Sequence, residues 1–360
     1  MTNARSALLA CVLAFPALAQ EGAKDVITWL DGSKTENARV QSFTLREIKF
    51  AHKGNSETKP GESVANIELA KAKEDTFKRG YGAPPKEAPG QFVEVARKLA
   101  KSEPLVAQVG FIEAARVALN LGGAENAQMA FDILKELAEQ IPDTGFMGEV
   151  WRSRLDYYLA GGAEDAKNAT TAADNYSKIA TTSGWPDFYV NDAAYYVVMA
   201  KSSSGKLAPA ALQTELKALL TKVEGQTPYV ANRVNVQLAH SLLQQKKSDD
   251  AKKILDGLLA KEGLDRATYA SALIGLGHVL MDSGDPTKRD PYRQALLAFL
   301  RVFVEAPDAG HEIVAEALYF GAEAAEKWSE KDSALMAGKL RSLIKKDYPD
   351  TRWGQALAGK

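Results

Sequence analysis

The stretch VQLAHSLLQQKKSDDAKKILDGLL, residues 236–259, carries two apolar stripes that are separated by a polar break. The first stripe, at 238–242, lies on one face of a helix. Ala251, Leu255 and Leu258 follow at i, i+4, i+7 spacing and lie on one face of a second helix. Each stripe must be buried against another element, so the stretch predicts a helical hairpin.

The same pattern recurs along most of the chain. Its marker is a small or apolar residue in the second helix of each hairpin, and the six markers are Ala127, Ala173, Leu212, Ala251, Ala295 and Ala337. Successive markers lie 39 to 46 residues apart. One hairpin cannot bury both of its stripes, so six consecutive hairpins predict a mainly α fold, a stacked helical-hairpin solenoid over residues 92–360.

The pattern resembles the tetratricopeptide repeat, in which a small residue of the first helix is followed twelve positions later by an alanine. Ala239 and Ala251 have this spacing, and so do Ala115 and Ala127. The tetratricopeptide period is about 34 residues and HEAT-like helix pairs repeat at about 40–47, so a HEAT-like subfamily stays open. The resemblance implies a scaffold that binds a protein or peptide and carries no chemistry of its own.

The resemblance also implies which residues line the concave groove. The relevant position follows the small residue of each first helix, and here it is occupied by Arg116, Lys201, His240 and His278. Cations in a concave surface favour carboxylates, which predicts binding of an acidic segment or a chain terminus. A solvated inner face with half-buried histidines is the simpler alternative, because histidine is commonly intermediate in burial.

Residues 20–70 show the alternation of β-strands instead of helices. Alternating segments begin at Val26, Val40 and Ile48, with the turn signal Asp31-Gly32 between the first two. Four or five short strands predict a small β-barrel or meander, which resembles the SH3-like or Sm-like modules of exported bacterial repeat proteins. Residues 71–91 are rich in Pro, Gly and charge, which predicts a linker before the solenoid.

Residues 1–19 have the pattern of a secretory signal, with Arg5, a short apolar run and Ala17-Leu18-Ala19 before the cleavage point. Cys11 follows Leu-Leu-Ala as in a lipoprotein signal, but the apolar region before it is too short, so we expect no lipid anchor. No later stretch reaches eighteen apolar residues, so we expect no transmembrane helix. These features predict a periplasmic or secreted protein.

Charge and motifs argue against several kinds of function. The 360 residues have a formal net charge of -1, so we expect no nucleic-acid partner. The sequence lacks the glycine-rich phosphate loops and the Gly-x-Ser-x-Gly elbow. His311 is followed four residues later by Ala315 instead of a second histidine, which argues against a zinc helix. We therefore expect no enzyme activity, no metal and no cofactor.

One dense group of aromatic residues allows a second interpretation. Its members are Tyr157, Tyr158, Trp185, Phe188, Tyr189 and Tyr195. Aromatic residues at helical spacing are typical of packing between repeats. If exposed, they would instead form a recognition patch for a peptide or a glycan.

The sequence as a whole predicts a non-catalytic scaffold or adaptor of the bacterial periplasm or cell envelope that binds a partner protein in the concave face. The alternative is a peptidoglycan- or glycan-associated protein that uses the aromatic patch. An enzyme accessory subunit or an unrecognised hydrolase is a further alternative, but no site signature supports it.

Overall fold

The computed structural model describes residues 24–161, 165–285, 287 and 289–359. Within these ranges a small antiparallel β-sheet is followed by an array of helical hairpins. The signal segment predicted at residues 1–19, with Cys11, lies outside the described residues. None of the helices in these ranges has the length and apolar character that crossing a bilayer requires.

The sheet contains five strands, which are Asp25–Trp29 (β1), Lys34–Phe43 (β2), Glu47–His52 (β3), Asn55–Pro60 (β4) and Val64–Glu68 (β5). Their spatial order is β4-β3-β2-β1-β5, so the first four form a meander and β5 returns to pair with β1. The predicted strands are present. In β1, however, Ile27 and Trp29 point inward, whereas the alternation that we predicted began at Val26.

Residues 71–91, for which we predicted a linker, are packed and partly helical. They contain a π-helical turn at Ala72–Thr76 and a short helix, α1, at Lys78–Gly82. Phe77 lies between these two segments and is 1% exposed, with its ring centroid 5.7 Å from that of Phe92. Burial of this one aromatic ring holds the segment against the helices that follow.

The rest of the described chain is helical. The helices are Ala88–Leu99 (α2), Pro104–Asn120 (α3), Gly123–Gln140 (α4), Met147–Ala160 (α5), Ala166–Thr182 (α6), Asp187–Ser203 (α7), Pro209–Val223 (α8), Pro228–Gln244 (α9), Ser248–Leu259 (α10), Arg266–Ser283 (α11), Asp290–Glu305 (α12), His311–Trp328 (α13), Ser333–Asp347 (α14) and Arg352–Ala358 (α15). The first long helix begins at Ala88, four residues before the predicted start at Phe92, because Pro89 is compatible with a first helical turn.

The six predicted hairpins are α3–α4, α5–α6, α7–α8, α9–α10, α11–α12 and α13–α14, and each pair packs together. All six marker residues lie in the second helix of their hairpin and are buried. Close packing also needs small residues in the first helices. A Cβ at Gly277 in α11, for example, would lie 2.4 Å from the ring of Phe299 in α12.

The sheet and the first hairpin share one hydrophobic core. Ile27 and Phe50 of the sheet belong to the same buried cluster as Phe111 of α3 and Leu134 of α4. At the far end, α15 packs against α13 and α14. The array is therefore covered at one end by the sheet with α2 and at the other by a short helix.

A glycine allows the sheet to approach the loop between α4 and α5. Phe43 of β2 packs edge-on against Phe146, with ring centroids 4.9 Å apart. A Cβ at Gly145 would lie 2.4 Å from the Phe43 ring. The close contact between the sheet and this loop therefore requires that residue 145 has no side chain.

Replacing Gly145 with alanine is expected to lower the free energy of unfolding by about 1–3 kcal/mol, because the added methyl group overlaps the Phe43 ring. The matched control is Gly257→Ala in α10, where nothing lies within 4 Å of the new Cβ. This control should raise the free energy of unfolding by roughly 0.5–1 kcal/mol. Urea unfolding followed by circular dichroism measures both, and equal effects would show that the sheet does not pack on residue 145.

Candidate functional site

The sheet lies along the edge of the array where one hairpin connects to the next. The Leu45 backbone N–H donates to the carbonyl of Asp143 in the α4–α5 loop at 2.9 Å. Arg46 Nη2 donates to the carbonyl of Gly184 in the α6–α7 loop, also at 2.9 Å. The sheet thus contacts the connections of successive hairpins as well as the first hairpin.

Gln108 of α3 is central to this contact and is 2% exposed. Its Nε2 donates to the Phe43 carbonyl at 3.1 Å, and its Oε1 accepts from Thr144 Oγ1 at 2.8 Å and from the Gly145 N–H at 3.2 Å. A buried amide with these three partners joins β2 to the α4–α5 loop at low desolvation cost. The sequence signal that we missed is a lone glutamine within the otherwise apolar face of α3.

A cleft of about 560 Å³ lies between the sheet and the array. This volume is within the range of roughly 300–1,000 Å³ that is typical of small-ligand sites. The lining residues come from both walls and are Trp29, Leu30, Asp31, Ser33, Lys34, Thr35, Lys59, Pro60, Ser63, Pro228, Tyr229, Asn232, Gly263 and Asp265. Neither wall forms the cleft alone, which is why no local sequence motif could predict it.

The charged groups of the sheet wall are two lysines and Asp31, whereas the charged group of the helical wall is Asp265. Lys34 and Lys59 come from the sheet, and Lys59 Nζ lies 4.3 Å from the centroid of the Trp29 ring. On the helical wall, Asp265 is 8% exposed and its Oδ1 accepts from the Thr268 N–H at 3.0 Å, which caps α11. The second oxygen, Asp265 Oδ2, is buried and finds no hydrogen-bond donor among the described residues.

A charged network joins the first helices of three consecutive hairpins. Asp192 of α7 is fully buried and lies between two arginines, with Arg233 Nη1 of α9 at 3.2 Å and Arg152 Nη1 of α5 at 3.6 Å. Arg233 Nη2 also lies 3.6 Å from Asp156 of α5, whose side chain is 58% exposed. The two positive and two negative charges balance, and the network holds α5, α7 and α9 in one register.

Tyrosines complete the network. Tyr176 donates to Asp192 Oδ2 at 3.0 Å, and Tyr196 donates to Asp156 Oδ1 at 2.6 Å. Burial, reinforced by the charge of Asp192, raises the pKa of the Tyr176 hydroxyl well above its usual value, so it remains a donor. We missed this network in the sequence, although the adjacent polar pair Asn191-Asp192 within an apolar and aromatic run was a signal for it.

The predicted groove residues do not form a line of exposed cations. Arg116 contacts the sheet, because its Nη1 donates to Asn66 Oδ1 at 2.5 Å and its Nη2 donates to the Ala65 carbonyl at 3.2 Å. Lys201 is half-buried near the end of α7. The position of Arg116 corrects the prediction of an open groove at the first hairpin, since β5 covers it.

His240 and His278 lie in successive first helices and are both half-buried. His240 packs against α11, where a Cβ at Gly275 would lie 3.2 Å from its Nε2. The His278 ring centroid lies 4.4 Å from that of Phe320 in α13. Burial, together with the nearby His240, lowers the pKa of His278 to about 4. This corresponds to the simpler alternative of half-buried histidines rather than charged groups that face a ligand.

The predicted aromatic patch is largely interior. Phe188, Tyr189 and Tyr195 are 6%, 1% and 4% exposed, whereas Tyr157, Tyr158 and Trp185 are half-buried. The ring of Trp185 packs against Tyr176 and Tyr189 rather than forming an open platform. The three buried rings are not available as an exposed patch, whereas the half-buried Tyr157, Tyr158 and Trp185 pack against neighbouring rings and keep part of their surface exposed.

The described residues contain no group of three or more His, Cys, Asp or Glu side chains that could hold a metal ion. The sequence matches no protein-family model and no curated protein. Among solved structures, the chain is similar to Bacillus thuringiensis PlcR in complex with the peptide PapR7 and DNA, at 14% identity and a TM-score of 0.43, covering 80% of this chain and 98% of PlcR. A similarity at this level carries no argument about what this chain binds.

Replacing Asp192 with asparagine is expected to lower the free energy of unfolding by roughly 3–5 kcal/mol, because two largely buried guanidinium groups lose their shared, fully buried counter-charge. The control is Asp250→Asn, which removes an exposed partner of Lys253 in α10 and should change stability by less than about 0.5 kcal/mol. Urea unfolding measures both. If Asp192→Asn lowers the free energy of unfolding no more than the control does, the network has no structural role.

The free energy of unfolding is expected to fall as the pH is lowered from about 6.5 to about 4. The unfolded His278 titrates near 6.5 and the folded one near 4, so within this window the unfolded state binds more protons, at a cost of up to roughly 3 kcal/mol. Urea unfolding across this pH range should show a flatter dependence for His278→Gln. His311 is exposed, so His311→Gln is the control. If His311→Gln flattens the dependence of the unfolding free energy on pH and His278→Gln does not, the assignment of this dependence to His278 is wrong.

Proposed function

We propose that the chain is a non-catalytic scaffold of the bacterial periplasm that binds a partner protein through its helical hairpins. Arrays of this kind present long continuous surfaces and commonly act by binding. The signal-like pattern of residues 1–19 supports export, and the near-neutral charge supports a protein partner over a nucleic acid.

Exposed apolar side chains on the last two hairpins carry this proposal. Eight large hydrophobic residues are exposed in the described chain, and five of them lie on α12 and α14. These five are Leu297 (52%), Phe303 (36%), Val304 (72%), Leu335 (59%) and Met336 (39%). Leu297 and Val304 lie seven positions apart and share one face of α12. Exposed apolar side chains that share a helix face are typical of protein-interaction surfaces.

The surface that we propose therefore differs from the concave groove that the sequence suggested. It uses the second helices of the fifth and sixth hairpins, whereas Arg116 is engaged by the sheet and the two histidines are half-buried. The glycan alternative has less support, because Phe188, Tyr189 and Tyr195 are interior and only Tyr157, Tyr158 and Trp185 keep part of their surface exposed.

The double substitution Leu297→Glu, Val304→Glu is expected to reduce recovery of partner proteins about tenfold or more, since charge disrupts an apolar interface. The tagged chain would be used to capture proteins from a periplasmic extract, and those captured would be quantified by mass spectrometry. The matched control is Met129→Glu, Ile179→Glu, which changes two exposed apolar residues on α4 and α6. Equal recovery by both double variants, with unchanged circular dichroism, would exclude α12 as the contact surface.

A further inference from the structure

The cleft between the sheet and the array combines opposite charges on two walls. The sheet supplies the ammonium groups of Lys34 and Lys59, and the array supplies the carboxylate of Asp265. Asp31 lies in the β1–β2 turn, where its Oδ1 accepts from the N–H and the hydroxyl of Ser33, at 2.8 and 2.6 Å. A ligand that crosses the cleft therefore meets two ammonium groups and the Asp31 carboxylate, which already accepts two hydrogen bonds, on the sheet side, and the Asp265 carboxylate on the helical side.

Asp265 shows which kind of group the helical wall lacks. One oxygen caps α11, and the other is buried without a donor from the described residues. A buried carboxylate oxygen without a partner is energetically costly, and an N–H donor of a ligand relieves that cost. An ammonium group relieves it most, because hydrogen bonds between charged groups are the stronger ones.

Two aromatic side chains also line the cleft. Trp29 is held in place by its Nε1–H bond to Thr35 Oγ1 at 2.9 Å, and Tyr229 of α9 lines the opposite side. Lys59 lies over one face of the Trp29 ring, so that face is not free to stack on a sugar. The cleft therefore fits a ligand with charged ends and a short apolar or amide middle.

We propose that this cleft binds a short peptide with free termini, whose ammonium group faces Asp265 and whose carboxylate faces Lys59. The charges of the ligand then complement those of both walls. A neutral glycan would cover the same charged groups without compensating them. The site goes beyond the scaffold function proposed above, because it shares no residue with α12 or α14.

Isothermal titration of the full chain with trialanine tests the proposal. We expect saturable binding of one trialanine per chain. We also expect N-acetyl-trialanine and trialanine amide to bind with an affinity that is lower than that of trialanine by about tenfold or more, since each lacks one charged end. Absence of trialanine binding, or equal affinity for the blocked peptides, would overturn the proposal. Displacement of trialanine by the neutral sugar chitotriose would also overturn it and assign the cleft to glycans.

Two variants connect each end of the peptide to one residue. Asp265→Asn keeps an oxygen for the α11 cap and removes the charge, so the chain should still fold. This variant should bind trialanine about tenfold more weakly but N-acetyl-trialanine as the wild type does. Lys59→Met should show the same pattern with trialanine amide. The matched controls Asp250→Asn and Lys253→Met change an exposed pair in α10 and should bind trialanine normally.

If either cleft variant weakens all three peptides equally, the assignment of the two ends is wrong. Circular dichroism and urea unfolding of each variant separate a lost contact from a lost fold. The capture experiment with Leu297 and Val304 is independent of these titrations. If the cleft does not bind trialanine, the proposed scaffold function is unaffected. If the α12 variant captures partner proteins normally, the proposed peptide site is unaffected.

Discussion

A helical hairpin cannot fully bury both of its apolar stripes by itself, and the architecture of the chain depends on this constraint. Stacking solves the problem inside the array, but it leaves an open apolar face at each end. The sheet closes the first end, where Ile27 and Phe50 share a core with Phe111 of α3. The short helix α15 packs at the other end. The β-sheet is therefore part of the folding unit of the repeats and not a module joined by a free linker.

Buried polar groups determine how these surfaces fit together. Apolar packing alone tolerates sliding, whereas a buried amide or charge is stable only when its partners are in place. Gln108 fixes the position of the sheet relative to the first hairpin through hydrogen bonds to Phe43, Thr144 and Gly145. Asp192 fixes the relative positions of α5, α7 and α9 through its ion pairs with two arginines. The contact of Gln108 is neutral and that of Asp192 is ionic. Loss of a single partner therefore destabilises the Asp192 network more, because it leaves a charge without its counter-charge.

The sequence could predict features that depend on neighbours within one or two helical turns. The hairpins, their markers and the strands follow from local periodicity, and the structure contains them. Features that depend on distant neighbours could not be predicted in this way. Phe77 is buried by Phe92, although the residues around it have the composition of a linker. Arg116 was predicted to line the groove, but its guanidinium group is hydrogen-bonded to Asn66 of β5. The cleft takes its walls from residues that lie between 165 (Ser63 to Pro228) and 236 (Trp29 to Asp265) positions apart.

The shape of that cleft follows from the way the sheet meets the array. Gly32 has a positive φ of 80°, which gives a tight β1–β2 turn, and a Cβ there would lie 3.3 Å from Arg266 Nε. The turn thus touches the start of α11 on one side, while the sheet contacts the α4–α5 and α6–α7 loops further back. The cleft lies beside this turn, because Asp31 and Gly263 both line it. A ligand that binds there touches both walls, so by mass action it stabilises the docked sheet over any opened form. Binding in the cleft and the attachment of the sheet to the array are therefore coupled.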